Sequence, residues 1–166
     1  MVLSYRIGVL NLSNFFQDQA AGLRQIITSM AGITDYGPGP FVVDIEKATI
    51  HNDTYRTALW TGPHLQLTLM SIPVGEDIGL EVHPDNDQFL RIEEGDGVAL
   101  MGSAKDNLTI RQRVFENSAV FVPSGTWHNI VNTGPKPLKI YSIYAPPHHP
   151  HGVIHQTKRI AEQMGD

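Results

Sequence analysis

Four side chains stand at spacings that let them act together: Glu81, His83, Gln88 and His128. In the run Gly75-Glu-Asp-Ile-Gly-Leu-Glu81-Val-His83-Pro-Asp-Asn-Asp-Gln88, an extended backbone alternates its side chains, so Glu81 and His83 share a face. The turn formers Pro84-Asp85-Asn86 reverse the chain, and Gln88 at the start of the return run can look to the same side. The run Asn117-Ser-Ala-Val-Phe-Val-Pro123-Ser-Gly125-Thr-Trp-His128-Asn-Ile-Val-Asn132 offers one more imidazole just after a tight turn. A carboxylate enclosed by a fold is costly unless it is paired or bound to a cation. Glu81 and His83 are therefore either a hydrogen-bonded core pair or part of a metal site. Asp85 and Asp87 read as turn residues.

Further groups could serve such a site. Four of the eight histidines fall together in Tyr144-Ala-Pro-Pro-His148-His149-Pro-His151-Gly-Val-Ile-His155. One of these imidazoles, with His149 as the candidate, could close over the site as an acid–base group near neutral pH. The alternative is an exposed loop or an adventitious metal-binding tract, the reading preferred for His148 and His151. Tyr141 and Tyr144 fall on opposite faces of one run, so one of them can face the site, and Tyr141 is taken as the second catalytic candidate. Gln66 and Thr68 occupy the polar face of the run His64–Ile72 and are candidate pocket-lining residues.

The elements that must position these groups are mostly short strands. Runs with β-type texture cover Phe41–Glu46, Tyr55–Thr61, His64–Ile72, Ile78–His83, Gln88–Ile92, Val98–Met101, Leu108–Val114, Ala119–Val122, Trp127–Val131 and Leu138–Tyr144, separated by Gly- and Pro-containing turns. The prolines of the His-rich tail argue against a strand there. Two helices are expected. Phe15, Phe16, Ala20, Leu23, Ile26, Ile27 and Met30 recur at helical spacing over residues 12–31, and a short terminal helix fits Gln156–Met164. The resulting division is an N-terminal helix and linker over 1–40, a barrel over 41–147 and a His-rich tail over 148–166 packing on the barrel. The first helix and residues 41–50 offer an apolar face and an extra strand for a subunit contact.

Composition narrows the function. The 166 residues are 41% apolar and 17% charged, which suits one folded domain rather than a disordered chain. With no cysteine, disulfides, thiolate nucleophiles and thiolate metal sites are excluded. The net charge of −5, with basic residues scattered, speaks against a nucleic-acid partner. No apolar run approaches the ~20 residues of a membrane span, and no leader of the secretory type is visible, so a cytoplasmic protein with a small-molecule substrate is expected.

The two chemistry-bearing runs resemble the paired motifs of the cupins. The spacing of Gly75, Glu81, His83, Gln88 and Gly95, then of Asn117, Pro123, Gly125, His128 and Asn132, matches those motifs throughout. Three identities depart from them: Glu81 replaces the first histidine, Gln88 the glutamate and Asn117 the opening glycine. The resemblance spans roughly residues 65–147. It implies an all-β, double-stranded β-helix (the jelly-roll barrel) and one divalent metal held by Glu81, His83, Gln88 and His128. Zinc is the favoured ion, with manganese, iron or nickel as alternatives. Many cupins are dimers, so a homodimer is expected. The ligand set is similar to that of type-I phosphomannose isomerases, with the Gln and Glu positions exchanged. A metal-dependent isomerase acting on a sugar-like or hydroxy-carbonyl substrate is therefore favoured. The alternatives are a non-catalytic metal- and carbohydrate-binding module and, more weakly, an iron or nickel oxygenase.

Overall fold

The alternating runs beyond residue 55 fold as strands in the computed structural model, which describes residues 35–165. They are β1 (Arg56–Thr61), β2 (Gln66–Ile72), β3 (Asp87–Glu94), β4 (Asp96–Gly102), β5 (Ile110–Phe115), β6 (Ala119–Val122), β7 (Trp127–Asn132), β8 (Leu138–Ala145) and β9 (Ile154–His155). Six of them form a sheet in the order β6-β3-β8-β2-β1-β9, and three form a second in the order β5-β4-β7. The pairings are antiparallel. Ala99, Val114 and Ile130 from the smaller sheet share one core with Met70, Ile72, Leu90, Ile92, Leu138 and Ile140 from the larger. The fold is all-β, the jelly-roll barrel expected from the turn density and the motifs. The expected helix over 12–31 lies outside the described residues. Among those described, no helix is long and apolar enough to cross a membrane.

Register grades the barrel interior from polar to apolar. β8 runs between β2 and β3, so each inward residue of β8 meets one from either side. Tyr144 lies opposite Gln66 and Gln88; Ser142 opposite Thr68 and Leu90; Ile140 opposite Met70 and Ile92; Leu138 opposite Ile72. All of these side chains are buried. One end of the interior is thus built from amides, hydroxyls and a phenol, and the other from branched aliphatics. In β7 the same grading places His128 before Ile130, both fully buried. The strand-period alternation explains this, since one face of each strand must fill the barrel.

Three local expectations are corrected. The run Phe41–Glu46 is no strand; the chain instead forms helix α1 (Ile45–His51). The Asp44 carboxylate accepts a hydrogen bond from Lys47 N at 3.1 Å, and this cap with Glu46 in the first turn overrides the β-type texture of Phe41-Val-Val. Residues 41–50 therefore supply no strand for exchange. The run Ile78–His83 is not a continuous strand either, but an extended segment carrying the bridges Asp77↔Val131 and Glu81↔His128. Gly79 takes φ +94°, with its N–H on Asp77 Oδ1 at 2.7 Å, and this turn interrupts the pairing. The tail, expected to lack a strand, contributes β9, which pairs Arg56 with His155 and Thr57 with Ile154. The terminal helix appears as α2 (Lys158–Met164), capped by Thr157 and ended by Gly165 at φ +85°.

Candidate metal centre

Backbone contacts bring the two chemistry-bearing segments together. Glu81 N donates to His128 O at 3.0 Å and His128 N to Glu81 O at 2.9 Å, a closed pair that sets both side chains on one face. Gly125 N, in the turn before His128, donates to His83 O at 2.8 Å. Asp87 Oδ1 accepts from Ser124 N at 2.9 Å, so a residue read as a turn former ties one motif's turn to the other's. Gly125 itself sits at φ +75°, a conformation that glycine adopts without strain.

The donor atoms of Glu81, His83 and His128 converge within 4.8 Å of one another. Glu81 Oε1 lies 3.2 Å from His83 Nε2 and 3.3 Å from His128 Nε2. Ligands about 2.1 Å from one ion stand about 3.0 Å apart at right angles and about 3.4 Å apart at the tetrahedral angle, so these edges fit a first coordination sphere. The His128 Nδ1 faces the Thr126 carbonyl at 3.0 Å. A carbonyl only accepts, so Nδ1 carries the proton and Nε2 keeps its lone pair for the cluster, the arrangement usual for a metal-ligating histidine. Burial raises the Glu81 pKa. The adjoining imidazoles of His128 and His83 and the charge of Arg56 outweigh it and hold the carboxyl well below the usual carboxylate range. The cluster suits a divalent ion in charge, donor type and spacing.

The remaining candidates divide by strand face. Gln88 points into the barrel, 3% exposed, and both its amide atoms are buried with no hydrogen-bond partner among the described residues. Thr68 Oγ1 is in the same state. Gln66 also faces inward, but its amide is committed: Oε1 accepts from His148 N and His149 N, and Nε2 donates to His149 O and Thr61 Oγ1. It holds the tail in place instead of lining a pocket. Tyr141 is corrected, because it lies on the outer face against Phe89, 6.0 Å between ring centres. The inward tyrosine is Tyr144, fully buried, 5.7 Å from the His83 ring. His149 is buried against Tyr144 at 4.9 Å, while the tail imidazole beside His83 is His148, at 4.1 Å. The His148 Nδ1 faces Asn86 Oδ1 at 3.3 Å. Asn86 Nδ2 donates to Pro146 O, which settles the amide orientation and makes Nε2 the basic nitrogen of His148.

The match to known proteins follows the same residues. The family model described as "Cupin domain" matches residues 68–144. YrkC of Bacillus subtilis (strain 168) is 62% identical over 134 residues, covering 81% of this chain and 72% of YrkC. The crystal structure of BH2720 from Bacillus halodurans superposes with a TM-score of 0.78 at 62% identity, covering 79% of this chain and 99% of that one. The chain belongs to the cupins. L612 of Acanthamoeba polyphaga mimivirus is 44% identical over 115 residues, covering 69% of this chain and 70% of L612. In this cupin, Glu81 occupies the place of the motif's first histidine and still meets His83 and His128. Sequence reasoning passed over Arg56, a buried inward cation, and Ser142. The pairing of the Tyr55–Thr61 run was not visible, and an arginine in a short strand reads as a surface residue.

Proposed function

We propose that this cupin is a metal-dependent enzyme acting on a small polar substrate with hydroxyl and carbonyl oxygens, and that its reaction is an isomerisation. The observation that carries this reading is the convergence of Glu81, His83 and His128 at the polar end of the barrel, with Tyr144 and His148 packed on His83. Those two titratable neighbours favour turnover over simple binding. Glu81, His83 and His128 would hold the ion, with Gln88 as a neutral oxygen donor beside them. Zinc suits a site with two imidazoles and one carboxylate. Such an ion supplies Lewis-acid polarisation of a carbonyl oxygen when bound.

The chain's own residues do the rest. His148 can take a proton at Nε2 from the hydroxyl-bearing carbon next to the carbonyl and return it to the former carbonyl carbon, while the hydroxyl proton passes to the former carbonyl oxygen, and Asn86 keeps the other nitrogen of His148 protonated. Gln66 fixes the backbone that carries His148. The buried hydroxyls of Thr68 and Ser142 offer bonds to substrate oxygens and orient the substrate.

Two measurements test the proposal. Untagged protein is expected to retain a divalent ion in stoichiometric amount, by elemental analysis, and to lose it in Glu81→Ala and His128→Ala. Small hydroxy-aldehydes and hydroxy-ketones incubated with the loaded protein in D2O are expected to gain deuterium next to the carbonyl, read by NMR. A wild type that binds no metal even after reconstitution overturns the metal reading. Metal retention without exchange on any such substrate overturns the isomerase reading, and iron or nickel in the site directs the search to oxygen-dependent turnover.

A further inference from the structure

Along the barrel interior, side-chain size changes before polarity does. Tyr144 packs on His83 and lies opposite Gln66 and Gln88, all long side chains. Two residues further along the strands, Ser142 on β8 lies opposite Thr68 on β2, and Thr68 lies opposite Ala58 on β1. The next level is bulky again, with Ile140 opposite Met70 and Ile92. Three adjacent strands thus carry small side chains at one level, between two levels of large ones. Ala58, Thr68 and Ser142 are each at most 1% exposed.

We propose that this level is a subsite for one neutral hydroxyl of the ligand, a hydroxymethyl end held by Thr68 Oγ1 and Ser142 Oγ. The proposal rests on the metal-centre reading above and narrows its substrate class to short hydroxy-carbonyl compounds that enter hydroxymethyl end first. Unmet polar atoms are the first argument. Both hydroxyls are buried without a hydrogen-bond partner among the described residues. Folded proteins seldom leave such atoms unmet. Residues directly opposite on neighbouring strands have their Cβ atoms about 5 Å apart, so one ligand oxygen can reach both. A hydroxyl there accepts from one and donates to the other.

Reach is the second argument. Two residues of strand, about 7 Å, separate this level from Tyr144 and the His83 ring beside it. With a hydrogen bond of about 2.8 Å at the deep end, a ligand bound at the cluster spans the rest with oxygens on neighbouring carbons. A longer chain would run into Met70 and Ile140, which belong to the packed core. An anionic end is the poorer fit. Oxyanions are usually met by cations or by a helix N-terminus, whereas this level offers two hydroxyls beside Leu90. Arg56 on β1 is engaged by other groups of the protein, the Tyr55 ring at 5.4 Å among them.

The test is calorimetric titration of the zinc-loaded full chain with acetohydroxamate, glycolohydroxamate and phosphoglycolohydroxamate. All three share a zinc-chelating head; the second adds one hydroxyl to the first, and the third carries a phosphate on that hydroxyl. Glycolohydroxamate is expected to bind at least about tenfold more tightly than acetohydroxamate, and phosphoglycolohydroxamate to gain nothing over acetohydroxamate. Thr68→Val and Ser142→Ala are each expected to cut the preference for glycolohydroxamate to about threefold or less, with zinc content and acetohydroxamate affinity unchanged. Ala58→Val narrows the level without touching either hydroxyl, and is expected to weaken glycolohydroxamate and spare acetohydroxamate. Near-UV circular dichroism checks that each variant is folded; if one is not, the others carry the comparison. Equal binding of the first two compounds, tightest binding of the phosphorylated one, a preference unchanged in Thr68→Val and Ser142→Ala, or no binding of any hydroxamate overturns the proposal. A wild type that holds no zinc sinks the metal-centre reading on its own. The same titrations on metal-free wild type and Thr68→Val then decide the subsite: a hydroxyl preference that the variant loses keeps it, and any other result overturns it.

Discussion

The Gln66 amide bonds two backbone N–H groups, one backbone carbonyl and one hydroxyl, so all its capacity goes into holding His148 and His149. Gln66→Ala would leave these groups buried and unmet. At ~1–3 kcal/mol for each unsatisfied buried group, with partial relaxation, a loss of about 3 kcal/mol is expected in urea denaturation, with turnover falling as the tail loosens. Thr68 is the opposite case, because its hydroxyl has no partner among the described residues. Thr68→Val removes only that polar atom at equal shape. The metal-free protein is expected to keep its stability or gain up to ~1 kcal/mol, while ligand affinity drops. A thermal denaturation curve beside a ligand titration checks both halves. A Thr68→Val protein that is destabilised would mean the hydroxyl bonds within the protein after all.

The segment before α1 is held by one carboxylate. Asp35 Oδ1 accepts from Gly37 N at 2.9 Å and Thr61 N at 2.8 Å, and Oδ2 from Gly152 N at 3.0 Å and from the Thr61 hydroxyl. It thereby joins residues 35–37, the end of β1 and the tail. Burial raises its pKa, but the bonds from Thr61, Gly37 and Gly152 and the charge of His151 outweigh it and hold the carboxyl below its ordinary value of 3.8. A group depressed in the folded state stabilises above its unfolded pKa and loses that contribution as pH falls through the lower folded value. Asp35→Asn is therefore expected to cost about 1–3 kcal/mol at neutral pH, with the gap to wild type closing below about pH 4. A gap that widens on acidification would show the opposite shift. The same scale explains what could be read in advance. Glu81, His83 and His128 were legible because strand alternation and two turns constrain them. Tyr141 and Tyr144 were not separable, because which parity faces inward depends on pairing with β2 and β3. The strand read over Phe41–Glu46 failed since a single cap, Asp44, outvotes three β-favouring residues. Arg56 stayed hidden because its significance lies in what surrounds it.

At the scale of the whole molecule, the barrel divides its labour along its axis. Branched aliphatics such as Leu90, Ile92, Ile140 and Leu138, all fully buried, supply the stability that the polar end forgoes. A homodimer remains our proposal for the assembly. Phe121 on the edge strand β6 is 70% exposed and Phe115 on the edge strand β5 is 56% exposed, and open edges of this kind usually find cover. Light scattering at micromolar concentration is expected to return twice the chain mass, and a monomer mass would reject the assembly. The strand order carries one more consequence, and it concerns time. β8 joins β2 to β3 in the middle of the larger sheet, yet it is the last long strand in the chain. Until it is synthesised, the β1–β2 hairpin and the β3–β6 pair have no strand in common. Folding must wait for a contact between residues far apart in sequence, the circumstance that makes β-rich proteins slow to reach the native state. During that wait all the candidate ligands, from Glu81 to His128, already exist on an unclosed chain. For an ion held by these residues, capture and barrel closure would then be competing events in each newly made molecule.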